Sequence, residues 1–569
     1  MNVFWMHRDC RLQDNPALAA AASASAPLCI LYIYDHAHLS SDTFHQSHLR
    51  FINQGLQCLN TRLNQQGGHV TFRVGHALHV LKQIHNTSPI SAIHVNAIVP
   101  NHQERSTRAA VRQWVEQLAI TWNESPIPGI VSTGRPSVGW AHHWLQDMHK
   151  PVPNLPEPLN FVSSAVLCPE TLREPHQLSA LKYRGERPEA QTGGEIKATS
   201  VLEDFLYQRG KDYSSALSSP VTAWHACSRL SPYLAWGHIS LRTVFRALDK
   251  RQQQLREQKQ SRNRSQPNDP WLKSMSAFAA RLRWRSHFSQ KLHDDPQMQT
   301  QNACRAYDGL RESEWREHMF QAWISGRTGF PMVDACMRAL HQSGWINFRM
   351  RAMLVSFASY TLWLDWKRLA APLARLFLDY EPGIHYPQLQ MQSGTTGVNA
   401  LRIYNATKQL LDHDPEGQFV RRYVLELHHV PKKYLAEPSS MALQAQVAAD
   451  CRIGVDYPSP VVDAPDAYKT ARLRFSEVRN RETTRKAVTA VYDKHGSRRG
   501  RQTISRNKRE RKAQTDSTAE DSRAPKTRRT RRCSVCASED HIKGLRCRAW
   551  MLKAHSPNKN CVKEKESLP

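Results

Sequence analysis

The sequence lacks the features of a membrane or exported protein. No run of eighteen apolar residues, which a membrane-spanning helix needs, occurs in its 569 residues. The first segment, MNVFWMHRDCRLQDNPALAA, carries charges where a signal peptide has an unbroken apolar stretch. Eight of the twelve cysteines are scattered singly over the first 451 residues, which fits a reducing compartment better than a disulfide framework. We expect a cytoplasmic protein, nucleoid-associated if bacterial, with no membrane role.

Acidic residues are few relative to basic ones. Lys and Arg total 78 against 50 Asp and Glu, a net charge of +28 with a pI near 9.8. This balance favours a polyanionic partner, most often nucleic acid. Much of the excess lies in RRGRQTISRNKRERKAQTDSTAEDSRAPKTRRTRR (498–532), which has almost no apolar residues. We interpret this stretch as a disordered DNA-binding arm, with a solubilising tail as the alternative.

The N-terminal region lacks a Gly-x-Gly-x-x-Gly dinucleotide fingerprint, although strand and helix signals alternate along it. Short β-rich runs are separated by helical stretches such as 46–65 and 104–119, and the runs lie at 2–7, 27–35, 69–75 and 91–99. That alternation predicts a Rossmann-like, doubly wound parallel α/β domain over residues 1–130.

The composition changes again beyond residue 130. A polar, Pro-rich stretch indicates a linker over 131–197, and helical periods rich in Trp and Arg predict a mostly α-helical domain over 198–470. We assign the basic arm to 471–532 and a small segment with zinc-binding potential to 533–561.

Two arginines interrupt an apolar helical pattern in GWINFRMRAM (344–353). Arg349 and Arg351 cannot be deprotonated, so on a core-facing helix each needs an anionic partner. Carboxylates are available in the later segment LDYEPGIHYPQ, which contains Asp379 and Glu381. These residues alone leave open which anion each arginine meets.

Two further segments combine groups that suit a phosphate or a nucleotide. In CSRLSPYLAWG, Ser228 and Ser231 flank Arg229 at a helix start, where hydroxyls and free N–H groups suit a phosphate; an ordinary capped helix is the alternative. In LRWRSHF, Trp284 lies between two arginines, which pairs a stacking surface with phosphate donors. A buried core tryptophan is the alternative there.

Six motifs, among them CSRLSPYLAWG and GWINFRMRAM, fall in the order and spacing of the photolyase/cryptochrome family, which the chain resembles over residues 1 to about 470. The motifs are WMHRDCRLQDNPALAAA, CSRLSPYLAWG, GRTGFPMVDACMRAL, GWINFRMRAM, GTTGVNALRIYNATKQ and DPEGQFVRRYVLEL. The resemblance implies a Rossmann-like antenna domain joined to a helical domain, which holds FAD beneath a positively charged, DNA-facing surface.

The resemblance also implies which residues bind the flavin. It predicts an ion pair between Arg351 and Asp379 beside the isoalloxazine; an ion pair unrelated to flavin is the alternative. The other implied FAD-binding residues are Tyr213, Cys227, Ser228, Arg229, Leu230, Ser231, Trp284, Tyr380 and Glu381.

On the DNA side the resemblance implies Arg281, Arg285, Phe348, Arg349 and Gln409. Three positions depart from the family pattern: Phe348 replaces an asparagine, Arg281 replaces an acid that contacts the lesion, and Ala352 replaces a methionine. Phe348 could stack on a base, or it could be a core residue.

Three residues are implied in catalysis. Trp284 resembles a tryptophan that lies near both flavin and lesion, and Trp366 matches the middle member of an electron-transfer chain, in which Trp363 or Trp315 could also take part. His385 matches the position that faces flavin N5, where a histidine could tune flavin protonation or donate a proton. A plain structural hydrogen bond is the alternative for His385.

Two further ligand sites are expected outside the flavin site. The block NHQERSTRAAV matches a site for a folate antenna, with Glu104 as its binding residue; other family members use deazaflavin or no antenna. In the tail, CSVCASEDHIKGLRC predicts a Zn²⁺ site made of Cys533, Cys536, His541 and Cys547. Cys561 or His555 could supply the fourth ligand instead, and unliganded thiols are the alternative.

The resemblance leaves two functions open. One is a DNA photolyase, a monomer that splits pyrimidine dimers in UV-damaged DNA by electron transfer from photoexcited reduced FAD. The other is a cryptochrome-like blue-light photoreceptor that binds DNA with little or no repair.

Overall fold

The computed structural model describes residues 1–131, 140–156, 158–163, 172, 174–175, 181–261, 269–399 and 401–495. Its first part contains a parallel sheet with strand order β3-β2-β1-β4-β5. The strands are β1 Asn2–Met6, β2 Leu28–Asp35, β3 Val70–Gly75, β4 Ala92–Asn96 and β5 Thr121–Ser125. Apolar cores lie on both faces of the sheet, so the predicted doubly wound α/β domain is confirmed. The fifth strand was missed because its sequence, TWNES, is mostly polar and exposed.

Helices make up the rest of the described chain. Six accompany the sheet: α1 Pro16–Ala22, α2 His36–Leu39, α3 Gln46–Asn64, α4 Ala77–Thr87, α5 His102–Gln117 and α6 Trp140–His149. The helical domain has α7 Glu195–Tyr207, α8 Tyr213–Ala216, α9 Pro220–Ala226, α10 Ser231–Ala235, α11 Leu241–Ser261, α12 Pro270–Asp294, α13 Glu317–Ile324, α14 Pro331–Ser343, α15 Phe348–Ser356, α16 Trp366–Leu376, α17 Pro382–Ser393, α18 Ala406–His413, α19 Gln418–Tyr423, α20 Lys432–Leu435, α21 Leu443–Ala448, α22 Ala464–Asn480 and α23 Glu482–His495. No helix of this described part is long and apolar enough to cross a membrane.

The predicted linker over 131–197 contains a helix near its start. Helix α6 lies within it and buries Trp144 and Met148. The indole N–H of Trp144 donates a hydrogen bond of 2.9 Å to the hydroxyl of Ser286 on α12. The linker prediction missed this helix because its neighbours are rich in proline, although its own tryptophans provide an apolar face.

The basic arm was placed too early in the chain. Residues 471–495, predicted to be disordered, belong to α22 and α23. Ala471, Phe475 and Val478 recur at helical spacing and are buried, and the Phe475 ring packs 5.2 Å from that of Tyr360. The many charged residues between them concealed this apolar face in the sequence. Residues 496–532, the rest of the predicted arm, lie outside the described residues.

The α/β domain meets the helical domain through a close backbone contact. Gly237, between α10 and α11, has a φ of +71°, and a Cβ atom added to it would lie 1.9 Å from the carbonyl oxygen of Arg8. A buried ion pair between Asp14 and Arg242 lies nearby in the same interface. Only glycine therefore permits the two domains to approach this closely at residue 237.

We expect Gly237→Ala to lower the free energy of unfolding by well over 1 kcal/mol, because it adds a backbone collision to the usual cost of about 1 kcal/mol for alanine at positive φ. Gly67 is a matched control, since it has a φ of +78° and no atom near its added Cβ. Chemical denaturation of both variants tests this expectation. Equal losses of stability in the two variants would contradict the interface contact.

Candidate functional site

The predicted ion pair between Arg351 and Asp379 is present. Helix α15 carries Arg351, whose two terminal nitrogens Nη1 and Nη2 donate to Asp379 Oδ1 and Oδ2 at 2.9 and 2.7 Å. The Asp379 side chain is 3% exposed and that of Arg351 24%. The Nε atom of Arg351 also donates to the carbonyl of Ile346, which fixes the orientation of the guanidinium. Such a two-pronged contact between buried groups is among the strongest polar contacts in proteins.

A second ion pair forms two residues further along. Glu381 precedes α17 and accepts a hydrogen bond of 2.8 Å from Arg285 of α12. Segment 379–381 is therefore held by α15 on one side and α12 on the other. Arg285 was predicted to contact DNA, but its charge is already balanced by Glu381, so this geometry does not support that contact.

The turn at 227–231 has the character of an anion site. Arg229 has a φ of +57°, and its guanidinium lies between the rings of Trp224 and Trp345, 3.9 and 4.0 Å from their centroids. Burial and the nearby Arg209 lower the pKa of Arg229 to about 10. Its guanidinium donates to the side chain of Gln191, which is uncharged. No described carboxylate lies within ion-pair distance of this buried cation.

The same turn offers further donors to an anion. Ser228 and Ser231 are partly exposed, and Ser231 begins the five-residue helix α10. Two hydroxyls beside an uncompensated guanidinium fit the pyrophosphate of FAD. The buried pair of Arg351 and Asp379 would meet the isoalloxazine, so the residues present fit this cofactor.

Cys227 and Leu230 belong to this turn, and Tyr213, the first residue of α8, lies close to Cys227. Burial raises the pKa of the Tyr213 hydroxyl, and a hydrogen bond with Arg281 opposes that shift. Burial likewise raises the pKa of the Cys227 thiol to about 11, so the thiol is protonated at neutral pH. Leu230 is fully buried. Their predicted contacts with FAD stay predictions.

Two large aromatic side chains are exposed on α12 and α15, the helices that carry Arg285 and Arg351, and we call this surface the mouth of the site. Trp284 on α12 is 50% exposed and packs on Phe288, and Phe348, the first residue of α15, is 42% exposed. The alternatives that placed Trp284 and Phe348 in the core are therefore wrong. Arg349 is partly exposed beside Phe348, and its Nε atom is buried without a hydrogen-bond partner.

Gln409 contrasts with these exposed residues. It lies on α18 and is only 7% exposed, with its Oε1 atom unpaired. A direct contact between Gln409 and DNA would need a rearrangement, so this part of the predicted DNA surface is not supported by the geometry.

His385 is held in a structural hydrogen bond. Its Nε2 atom lies 2.9 Å from the carbonyl oxygen of Ala370 on α16, and burial lowers the pKa of the ring to about 4. The neutral ring therefore keeps its single proton on Nε2, directed at that carbonyl. This favours the structural alternative over proton donation, although Nδ1 could still accept a hydrogen bond.

The described tryptophans near the predicted electron chain are buried. Trp366 is completely buried, and its indole N–H donates to Asn302 at 2.7 Å. Trp363 lies in a turn with a φ of +56°, and its N–H donates to Glu314 at 3.3 Å. Trp315 is less buried and packs against Phe320. The order of electron transfer among them stays a prediction.

Glu104 lies at a small cavity at the carboxyl ends of β1 and β2. Its Oε1 accepts from Arg8 at 3.0 Å and its Oε2 from the backbone N–H of Asn101. Burial alone would raise the pKa of Glu104, but Arg8 and the other nearby donors lower it below its usual range. Both oxygens are thus engaged, which leaves Glu104 less free to bind an antenna than predicted.

Sequence reasoning missed the residues that surround Glu104. The cavity is also lined by His7, Arg8 and His38, each with a buried polar atom that lacks a partner, namely Nε2, Nη2 and Nδ1. Burial lowers the pKa of both histidines, so they are neutral. Their common signal is position: all follow directly on β1 or β2, where parallel sheets bind ligands.

The predicted zinc ligands Cys533, Cys536, His541 and Cys547 lie outside the described residues. Within the described residues no group of three or more His, Cys, Asp or Glu side chains could hold a metal ion. The zinc site stays a prediction.

Comparison with known proteins agrees with this geometry. Residues 2–131 match the family described as DNA photolyase, and residues 278–477 match the FAD binding domain of DNA photolyase. The deoxyribodipyrimidine photo-lyase of Salmonella typhimurium is 29% identical over 83% of this chain and 97% of its own length. Cryptochrome DASH of Gloeobacter violaceus is 27% identical over 81% and 93%.

The same relationship appears among solved structures. The crystal structure of a bacterial class III photolyase from Agrobacterium tumefaciens superposes with a TM-score of 0.69 at 25% identity, covering 84% of this chain and 98% of that one. An archaeal photolyase from Sulfolobus tokodaii, solved with two FAD molecules, has a TM-score of 0.64 at 22% identity and covers 84% and 100%, which supports the fold alone.

The buried ion pair predicts the behaviour of Asp379→Asn. Removing the charge of Asp379 leaves the Arg351 guanidinium without a counter-charge. The variant should therefore lose about 3 kcal/mol of unfolding free energy and most of its bound flavin. Denaturation and the ratio of flavin to protein absorbance measure both effects. Asp412→Asn removes an exposed pair with Lys408 and should cost less than about 0.5 kcal/mol. A yellow, fully stable Asp379→Asn protein would remove the pair from the flavin site.

The depressed pKa of His385 predicts a dependence of stability on pH. Its folded-state pKa of about 4 lies below that of an unfolded histidine, so the neutral ring stabilises the fold above about pH 6.5 and this contribution is lost as the pH falls toward 4. Between pH 7 and 5, the wild type should lose about 2 kcal/mol more stability than His385→Gln. Denaturation at both pH values measures this, with the exposed His428→Gln as the control. Equal losses in wild type and His385→Gln would contradict the burial of a neutral ring.

Proposed function

The chain belongs to the photolyase/cryptochrome family, and from this premise we propose that it is a deoxyribodipyrimidine photo-lyase. Its substrate is UV-damaged DNA, and its reaction splits the carbon–carbon bonds of a pyrimidine dimer. When bound, reduced FAD supplies the light-excited electron that opens the dimer and is then returned. The Salmonella typhimurium relative named above carries this activity in its name and matches 83% of this chain.

The observation that carries the proposal is the exposure of Trp284 and Phe348. They lie on the two helices whose arginines form ion pairs with segment 379–381. A dimer inside a duplex cannot reach a buried cofactor, so it must be turned out of the helix. Trp284 and Phe348 present apolar rings at the mouth, where an extruded base can stack. Core packing would have buried both rings, so their exposure supports a binding surface.

The chain's own residues position the reactants. Arg351 pairs with Asp379, and Arg285 pairs with Glu381. These two ion pairs hold segment 379–381 rigidly. We call this segment the floor of the site, beneath the extruded base. Arg349 and Arg281, which have no described carboxylate partner, are free to bind phosphate at the rim. Burial of the floor excludes water, while the rim stays open to DNA.

A cryptochrome-like photoreceptor is the second candidate. The similarity to Cryptochrome DASH and the three departures Arg281, Phe348 and Ala352 favour it. Ala352 is buried, so only the two exposed departures, Arg281 and Phe348, could change lesion contacts directly.

Three further features belong to the proposal. The cavity lined by His7, Arg8 and His38 is the place where a second, light-harvesting chromophore would bind, and its aromatic wall includes Trp236. We expect the protein to act as a monomer. We also expect it in the cytoplasm, at the nucleoid if bacterial.

The deciding experiment incubates the reduced flavoprotein with an oligonucleotide that contains a pyrimidine dimer, under blue light or in darkness. A photolyase restores the bases only in the light. Light-dependent flavin changes without restored bases would favour the photoreceptor.

Trp284→Ala should weaken binding to damaged DNA about 5- to 150-fold, because stacking of one base contributes about 1–3 kcal/mol. Trp284→Phe keeps an aromatic face and should retain most of the affinity. Binding titrations in darkness measure both variants, with bound flavin as the check on folding. Unchanged affinity in Trp284→Ala would place the extruded base elsewhere.

A further inference from the structure

The two departures from the family pattern at the mouth of the site contact each other. Arg281 projects from α12 and Phe348 begins α15, and the guanidinium carbon of Arg281 lies 5.8 Å from the centre of the Phe348 ring. Both side chains are exposed. Two substitutions far apart in sequence thus form one cation–aromatic contact across the mouth.

The position of this contact is fixed by a third helix. Asn347, just before Phe348, uses its side-chain N–H₂ to donate to the carbonyls of Leu217 and Ser218 at 3.1 and 3.0 Å. These carbonyls follow α8, whose first residue, Tyr213, hydrogen-bonds to Arg281. Helices α8, α12 and α15 therefore meet at the Arg281–Phe348 contact, and neither side chain is placed by a mobile loop.

The chemistry of the pair differs from that of the residues it replaces. A carboxylate accepts hydrogen bonds from base N–H groups, whereas a guanidinium only donates them and needs an acceptor or an anion. Arg285, one turn away, is neutralised by Glu381. No carboxylate in the described ranges lies within ion-pair distance of Arg281, so its charge is available to a ligand at the rim.

We propose that Arg281 and Phe348 act as one recognition unit, in which Phe348 stacks on the extruded base and Arg281 binds the phosphodiester beside it. This inference rests on the proposed function and names the part of the DNA that Arg281 and Phe348 contact, namely one base and the phosphodiester beside it. Stacking on the base and binding of its phosphate do not read the edges of the base, so the site should tolerate either pyrimidine in the lesion. It should also be strongly salt-dependent.

A double-mutant cycle tests whether the two residues act together. The four proteins are wild type, Arg281→Gln, Phe348→Leu and the double variant, and the probe is a single-stranded oligonucleotide with one pyrimidine dimer, titrated in darkness at several salt concentrations. Each single variant should bind about 5- to 150-fold more weakly. The double variant should lose clearly less than the product of the two factors, because each residue holds the same nucleotide.

Salt dependence identifies the anion. Arg281→Gln should flatten the slope of log affinity against log salt by about 0.7 on a single strand, the value for one phosphate contact. Phe348→Leu should leave the slope unchanged. Arg281→Lys keeps the charge and should retain the slope while losing part of the affinity.

Arg283 is the matched control, since it is exposed on the same helix two residues away. Arg283→Gln and Phe348→Leu should be additive. Additivity between Arg281→Gln and Phe348→Leu would overturn the proposal, and so would an unchanged salt slope in Arg281→Gln. Loss of flavin from Arg281→Gln and Arg281→Lys with unchanged DNA affinity would assign Arg281 to the cofactor and overturn it as well.

The outcome is separable from failure of the proposed function. If wild-type protein binds damaged and undamaged strands equally and restores no bases in light, the photolyase proposal fails. The same cycle on an undamaged strand then still decides whether Arg281 and Phe348 grip one nucleotide together. If wild type repairs dimers and the cycle is additive, only the recognition unit is wrong.

Discussion

The segment 377–381 is the constraint on which the rest of the helical domain depends. Every one of its residues is held from a different direction. The carbonyl of Phe377 accepts from His48 of α3, that of Leu378 from Trp236, and that of Tyr380 from Arg8. Asp379 and Glu381 bind Arg351 and Arg285. A short stretch of irregular backbone thereby joins the α/β domain to helices α12 and α15. Polar contacts from other elements hold it, because it lacks the regular backbone hydrogen bonds of a helix or sheet.

This arrangement explains why Arg8 serves both domains. Its Nε atom binds Glu104 in the α/β domain, its Nη1 atom donates to Tyr380, and its guanidinium covers the ring of Trp236 at 4.4 Å. The cavity beside Glu104 and segment 377–381 are therefore opposite sides of one rigid contact.

The sequence predicted the architecture and the central ion pair because both have strong local signals. Apolar strands alternated with helices, and arginine within an apolar helix demanded an anion, which the family resemblance identified as Asp379 and the structure confirms. The sequence could not predict which arginine pairs with which carboxylate. Arg285 and Arg349 look alike in the sequence, but only tertiary placement shows that Arg285 lies beside Glu381. For the same reason it missed His7, Arg8 and His38, which approach one cavity from two strand ends, and the burial of Gln409.

The distribution of charge separates the floor of the site from its rim. Arg351 and Arg285 are each paired with a carboxylate, so the floor is close to neutral and tolerates burial. Within the described residues, Arg281 and Arg349 have no carboxylate partners, and they form the rim, where both side chains are at least partly exposed to water. An acid at position 281 would have neutralised this rim or bound base edges instead. With arginine there, an exposed ring at position 348 provides the remaining contact, since it stabilises the cation without cancelling its charge. Arg281 and Phe348 are thus physically consistent as a pair, and the proposed contact of each with DNA would be weaker without the other.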